Sequence, residues 1–157
     1  MPYQFNGPAL CVPLLCHRNV NGVSMDVEVD WKSLRHNASS MIDRAYAPYS
    51  HFPVGAAGTT IDGRLVVGCN VENVSYGLGI CAEVSLVADL VAHGRERLVA
   101  VSVCDARGAI LMPCGRCRQV LLEHGGPDLL IDHADGVRTL STLLPDAFGP
   151  DDLDAVR

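Results

Sequence analysis

A chain of 157 residues favours one domain with a single substantial core, and 48% hydrophobic against 19% charged residues excludes an intrinsically disordered protein. The formal net charge of −6, with no basic run, disfavours a nucleic-acid polymer as partner, because binding its backbone takes many Lys and Arg contacts to phosphate. No apolar stretch reaches the roughly 18 residues of a membrane-spanning helix, so a small-molecule partner and no membrane are expected.

Residues 1–24 carry a short apolar patch from Pro8 to Cys16, without a positive start and broken by Pro8 and Pro13. It does not read as a signal peptide. A disordered leader or an extension ahead of the domain is expected there, with the domain itself at 25–157. Seven cysteines, an odd number without a secretory signal, point to a reducing cytoplasm, where clustered thiols bind metal or do chemistry.

Asp30 can cap a helix starting at Trp31, with Leu34, Ala38, Met41, Ile42 and Ala45 as its apolar stripe and Pro48 as its end. Residues 53–60 and 64–71 read as two strands joined through Ile61-Asp62-Gly63, whose Asp-Gly step favours a tight hairpin. After Gly77 and Gly79 comes a helix over 81–93, with Val84, Leu86, Val87, Leu90 and Val91 expected inside and Gly94 as its stop. Leu98 to Val103 is a near-continuous apolar run, the pattern of a strand covered on both faces. Ala109 to Met112 continues as extended chain into Pro113. A helix over 115–124 turns Val120, Leu121 and Leu122 inward. Leu129 to Asp132 and Val137 to Leu140 are the last strands, Leu143 to Phe148 a compact tail, and the acidic end is expected to fray. Alternating helices and strands predict a layered α/β sheet with helices on both sides.

The chemistry concentrates at two predicted helix starts. Pro113-Cys114-Gly115-Arg116-Cys117 puts two thiols three apart, a spacing that lets both reach one ion. Cys81-Ala82-Glu83 adds a third thiol 33 positions earlier. Three cysteines can leave the fourth position of a zinc ion open, the pattern of a catalytic site. Taken alone, they are as compatible with a structural site completed by Cys69, Cys104, His93 or His124. Three thiolates on Zn²⁺ leave a net charge of about −1, which two helix N-termini, each worth roughly +0.5 of a charge, offset. Arg118, and Arg116 with it, can add hydrogen bonds and positive charge at the sulfurs. Glu83, two residues past Cys81, is badly placed to bind the same ion but well placed to handle protons beside it. A non-ligand glutamate next to a zinc-held water is the arrangement known for nucleobase deaminases.

From about Trp31 to Phe148 the sequence resembles the cytidine deaminase family, in its short form with three cysteine ligands. The resemblance rests on Tyr49-Ser50-His51-Phe52-Pro53-Val54-Gly55-Ala56, Gly68-Cys69-Asn70-Val71-Glu72-Asn73-Val74-Ser75-Tyr76-Gly77, Cys81-Ala82-Glu83, and Pro113-Cys114-Gly115-Arg116-Cys117-Arg118-Gln119. It implies a three-layer α/β/α sandwich with a mixed central β-sheet, and one Zn²⁺ per chain on Cys81, Cys114 and Cys117. Glu83 is implied as the proton shuttle: it protonates N3 of cytosine while zinc-activated water attacks C4, then passes a proton to the departing amino group. Asn70 and Glu72 would hydrogen-bond the ribose 3′-hydroxyl, Phe52 would stack on the pyrimidine, and the Ala82 backbone would help read the base. Tyr76 and Phe148 match positions that reach across a homotetramer.

Outside their motifs these residues read more plainly. Phe52 alone is core, Asn70 and Glu72 are a solvated strand face, and Glu83 is helix-dipole compensation. His51 is expected at the surface, and Cys11, Cys16, Cys69 and Cys104 as non-ligand thiols, the last two buried. One departure stands out. Some short-form members carry Arg directly after the C-A-E glutamate, where this chain has Val84, which leaves the balance of thiolate charge to other groups. A mean hydropathy of +0.20 fits extra buried interface. The function expected is hydrolytic deamination of cytidine and 2′-deoxycytidine in pyrimidine salvage. The competing readings are deamination of another aminated base, a zinc-stabilised scaffold and a thiol redox protein.

Overall fold

The computed structural model of the chain describes residues 28–154. The leader expected at 1–24, with Cys11 and Cys16, lies outside the described residues. Asp30 caps α1 (Trp31–Ser40) as expected, its Oδ1 accepting the Ser33 N–H at 3.0 Å. The helix stops earlier than its apolar stripe suggested. Residues Ile42–Arg44 tighten into a 3-10 turn, and Tyr46 then exchanges backbone hydrogen bonds with Asn70 and Glu72. That pairing needs extended chain before Pro48, so Met41, Ile42 and Ala45 end half-buried beyond the helix.

β1 (Gly55–Thr60) and β2 (Leu65–Cys69) form the expected antiparallel hairpin, closed at Gly63 with φ +84°, a left-handed value that glycine adopts freely. β3 (Leu98–Cys104) is buried along its whole length. It pairs antiparallel with β1 and parallel with β4 (Leu130–Ile131), and β4 pairs antiparallel with β5 (Arg138–Thr139). The sheet order is β2-β1-β3-β4-β5, a mixed sheet.

Strand alternation divides the core into two layers. Ala56, Val66, Val101, Val103 and Ile131 face α2 (Ala82–Ala92), α3 (Gly115–Gly125) and the short α4 (Leu140–Leu143). Ala57, Ala100, Cys104 and Leu130 face α1, where Trp31, Leu34 and Ala38 cover them. The result is the expected sandwich, with α1 on one side of the sheet and α2 and α3 on the other.

On α2, Leu86, Val87 and Leu90 are buried, but Val84 is half-buried and Val91 is 40% exposed. At 3.6 residues per turn, five such positions cannot share one face; Val84 and Val91, seven apart, fall together on the flank. On α3 only Leu121 of the three expected apolar residues is fully buried, with Val120 and Leu122 packed at the edge. Cys104 is buried as expected, whereas Cys69 is half-buried. The acidic end is helical rather than frayed as far as it is described: α5 (Pro150–Asp154) carries Asp151 and Asp152 in its first turn, and Asp152 accepts the Gly149 N–H at 2.8 Å. Among the described residues, no helix is long and apolar enough to cross a membrane.

Candidate active site

Cys81 and Cys114 occupy the N-cap positions of α2 and α3, so both helices begin at the same point of the molecule. α2 is seated there by the sheet. A Cβ on Gly68 would run into the Ala82 carbonyl and the Leu86 backbone, so only glycine lets the first turn of α2 lie this close to β2. Two side chains pin the contact: Ser85 donates to the Cys69 carbonyl at 2.7 Å, and Asp89 accepts the Val67 N–H at 3.1 Å. The start of α3 is held by Arg118, whose Nε donates to the Pro113 carbonyl at 2.9 Å and whose Nη1 donates to the Leu143 carbonyl at 2.6 Å. Arg118 is thus engaged with backbone carbonyls, not with the sulfurs as expected. Arg116 reaches the Gly79 carbonyl at 3.3 Å.

The three Sγ atoms of Cys81, Cys114 and Cys117 lie within 4.8 Å of one another, and those of Cys81 and Cys114 are 4.0 Å apart. Tetrahedral zinc with Zn–S of about 2.3 Å needs sulfurs roughly 3.8 Å apart, so the thiols fit one ion. Their acidities differ. Burial pushes Cys81 and Cys117 up from the ordinary thiol range, Cys117 further through the charges of Glu83 and Cys81. Cys114 is held down, first by the Cys117 backbone N–H. A dication held between them would remove the penalty on ionising the buried pair, since a coordinating thiol is deprotonated outright.

Among the described residues no fourth ligand completes the group. Cys104 lies in the core on the α1 side, Cys69 contacts the Arg44 carbonyl at 3.5 Å, and His93 pairs with Asp89 at 2.9 Å. An open side of this kind distinguishes a catalytic metal site from a structural one.

That side faces a cleft of about 270 Å³ lined by Asn70, Glu72, Cys81, Ala82, Glu83 and Cys114, together with the apolar Val54, Val71, Ile80, Leu111 and Met112. Glu83 is only 4% exposed. Burial raises its carboxyl, opposed by its own backbone N–H, the Cys117 thiol and the charge of Arg116. Asn70 and Glu72 both line the cleft. Glu72 is held below the usual carboxylate range, chiefly by the Ser50 hydroxyl.

An outer cavity of about 390 Å³, lined by Tyr49, Ser50, Glu72, Asn73, Tyr76 and Gly79, adjoins the cleft through Glu72 and Gly79. Phe52 (47% exposed), Tyr76 (82%) and Phe148 (60%) stand open at the surface, and neither cavity of the single chain includes Phe52 or Phe148 in its lining. His51 is exposed as expected. The lining residues Leu111 and Met112 carried no sequence signal beyond extended chain leading into Pro113.

Over residues 30–131 the chain matches the family model described as the cytidine and deoxycytidylate deaminase zinc-binding region. It is 60% identical over 126 residues to the cytidine deaminase of Mycobacterium tuberculosis, covering 80% of this chain and 95% of that protein. Against the cytidine deaminase of Halalkalibacterium halodurans it is 38% identical over 130 residues, covering 80% and 98%. The crystal structure of cytidine deaminase from M. tuberculosis matches with a TM-score of 0.77 at 60% identity, over 78% of this chain and 99% of that one. That of cytidine deaminase from Mycobacterium leprae matches with a TM-score of 0.75 at 55% identity, over 76% and 100%. The fold and its three-thiol centre are those of a zinc-binding deaminase. The chain belongs to the cytidine and deoxycytidylate deaminase family, and its thiols fit one Zn²⁺ per chain.

Proposed function

We propose that the chain hydrolyses cytidine and 2′-deoxycytidine to uridine and 2′-deoxyuridine with release of ammonia, as a step of pyrimidine salvage. The observation that carries this reading is a buried glutamate beside three thiols whose remaining side opens onto a nucleoside-sized cleft.

Cys81, Cys114 and Cys117 would hold the ion, which when bound supplies Lewis acidity that brings the pKa of a coordinated water to about 7. Glu83 is the proton carrier. Its buried carboxyl holds a proton more readily than an exposed one, so it can deliver that proton to N3 of the base and then carry the proton given up by the attacking water's oxygen to the leaving amino group. Ala82, buried at the first turn of α2, offers backbone to the base edge. Asn70 and Glu72 orient the sugar through its 3′-hydroxyl. Phe52 covers the pyrimidine face, and the apolar wall of Val54, Leu111 and Met112 excludes bulk water.

The same reading takes the domain as residues 25–157, in a cytoplasmic homotetramer. Val74, Tyr76, Leu78 and Phe148 are large apolar or aromatic side chains left open in one chain, and a neighbouring copy covering them would bring Tyr76 and Phe148 to a cleft. Five cysteines outside any disulfide among the described residues suit a reducing compartment.

The test is loss of ultraviolet absorbance near 280–290 nm on mixing zinc-loaded protein with cytidine, with cytosine and CMP as controls and sedimentation to count subunits. Turnover of cytidine but not of cytosine or CMP is expected. Inactivity of zinc-replete protein toward cytidine would move the assignment to another aminated substrate.

A further inference from the structure

Ser50 plays no part in the chemistry above, yet its hydroxyl makes two hydrogen bonds at once. It donates to Glu72 Oε1 and accepts the Phe52 N–H at 3.0 Å. The other Glu72 oxygen accepts the backbone N–H groups of Tyr49 at 2.9 Å and Ser50 at 3.2 Å. Asn70 grips the same stretch from its other end. Its Nδ2 donates to the Phe52 carbonyl at 3.0 Å, and its Oδ1 accepts the Val54 N–H at 2.8 Å.

The N–H and C=O of Phe52 are therefore both held from the N-x-E pair, by Asn70 directly and by Glu72 through one hydroxyl. Between Ser50 and Phe52, His51 sits at φ +54°, a left-handed conformation that a non-glycine residue keeps only where neighbours impose it.

We propose that Ser50 is a positioning residue, a one-hydroxyl relay that sets Phe52 for the base and Glu72 for the sugar and so couples recognition of the two halves of a nucleoside. The inference rests on the reading of Glu72 and Phe52 as substrate contacts. A hydroxyl donates and accepts together. Ser50→Ala removes both bonds, leaving one Glu72 oxygen without its donor and the Phe52 N–H without its acceptor, whereas Ser50→Thr keeps both. Ser50 lines the outer cavity and Glu83 the inner one, so the loss falls on binding rather than on proton transfer.

Steady-state kinetics on zinc-loaded wild type, Ser50→Ala, Ser50→Thr, Glu72→Ala and the Ser50→Ala/Glu72→Ala double variant test this. Ser50→Ala is expected to raise KM for cytidine roughly ten-fold, the scale of a charge-assisted hydrogen bond, with kcat within about two-fold. Ser50→Thr should restore KM, and Ser50→Ala should add far less in the Glu72→Ala background than alone. Zinc content and melting temperature should match wild type. A fall in kcat at unchanged KM, fully multiplicative effects in the double variant, or loss of zinc from Ser50→Ala would each overturn the relay. The activity reading fails separately: wild type inert toward cytidine removes both, whereas an active wild type with additive variants removes the relay alone.

Discussion

The thiol wall of the cleft and the loop wall facing it are held by different forces. On the thiol side Ala82, Glu83, Leu86, Cys117 and Leu121 are buried, and α2 lies backbone-to-backbone on β2 at Gly68. On the loop side Tyr46, Tyr49, Phe52, Val71 and Tyr76 are exposed, and the stretch from Tyr49 to Val54 is held by discrete bonds from Asn70, Glu72 and Ser50. Close packing tolerates little displacement. A metal whose ligands come from two helices needs that rigidity. The loop wall instead depends on a few polar groups, each removable by one substitution. The proposed function then assigns catalytic power to one wall and nucleoside affinity to the other.

The strongest way to break this division is Cys114→Ala. The variant should lose zinc and all turnover and should melt lower, because ligand binding contributes to folding free energy. Stoichiometric zinc in a stable Cys114→Ala protein, measured by metal analysis, would remove Cys114 from the ligand set. Next comes Glu83→Gln, which should keep zinc and substrate affinity while kcat falls by roughly 10²–10⁴-fold, the usual contribution of general acid–base catalysis. Near-normal turnover in that variant would mean that the proton carrier lies elsewhere.

The two walls also differed in how far the sequence revealed them. The thiol wall was legible from spacing: two cysteines three apart and a Cys-Ala-Glu, both at helix starts, predicted the cluster that the three Sγ atoms form. What spacing left open was whether a fourth ligand closed the site, because that depends on which side of the sheet Cys104 falls and where Cys69 and His93 turn. The loop wall was legible only through the family resemblance. Asn70 and Glu72 are hydrophilic residues at a strand end, and nothing in their local pattern shows that they bond to the backbone of residues 49–54. Arg118 shows the same limit. Its position beside Cys117 suggested a bond to sulfur, but the nearby carbonyls of Pro113 and Leu143 take its donors. The sheet was read well because its central strand is one continuous apolar run covered on both faces and an Asp-Gly step marks the β1–β2 turn. The end of α1 was misread because a non-local pairing at Tyr46 overrides local helix preference.

A pair of glycine substitutions sharpens the comparison at smaller effect. Gly68→Ala puts a methyl against the first turn of α2 and should cost about 1–3 kcal/mol, the usual range for overpacking, with weaker zinc retention because Cys81 moves with that turn. Gly77→Ala, on the loop side, meets nothing of its own chain within 4 Å and should leave zinc affinity unchanged and the stability of the α2–β2 contact untouched. Equal losses in the two variants, by calorimetry and chelator competition, would mean that the walls are not built differently after all.

The smallest expected effect is also the control for the rest. Asp30→Ala removes the cap of α1 and frees the Ser33 N–H, which should cost about 1 kcal/mol of stability. α1 covers the face of the sheet away from α2 and α3, so neither wall of the cleft loses a contact. Melting temperature should fall while zinc content, KM and kcat stay at wild-type values well below the transition. If KM rose instead, the loop wall would be responding to general stability rather than to its own hydrogen bonds. The path is short: α1 runs through the turn at Ile42–Arg44 into Tyr46, which pairs with the backbone of Asn70 and Glu72. An unchanged KM in a destabilised Asp30→Ala protein would show that this path carries no strain to the site, and that affinity is set locally by the side chains of Asn70, Glu72 and Ser50.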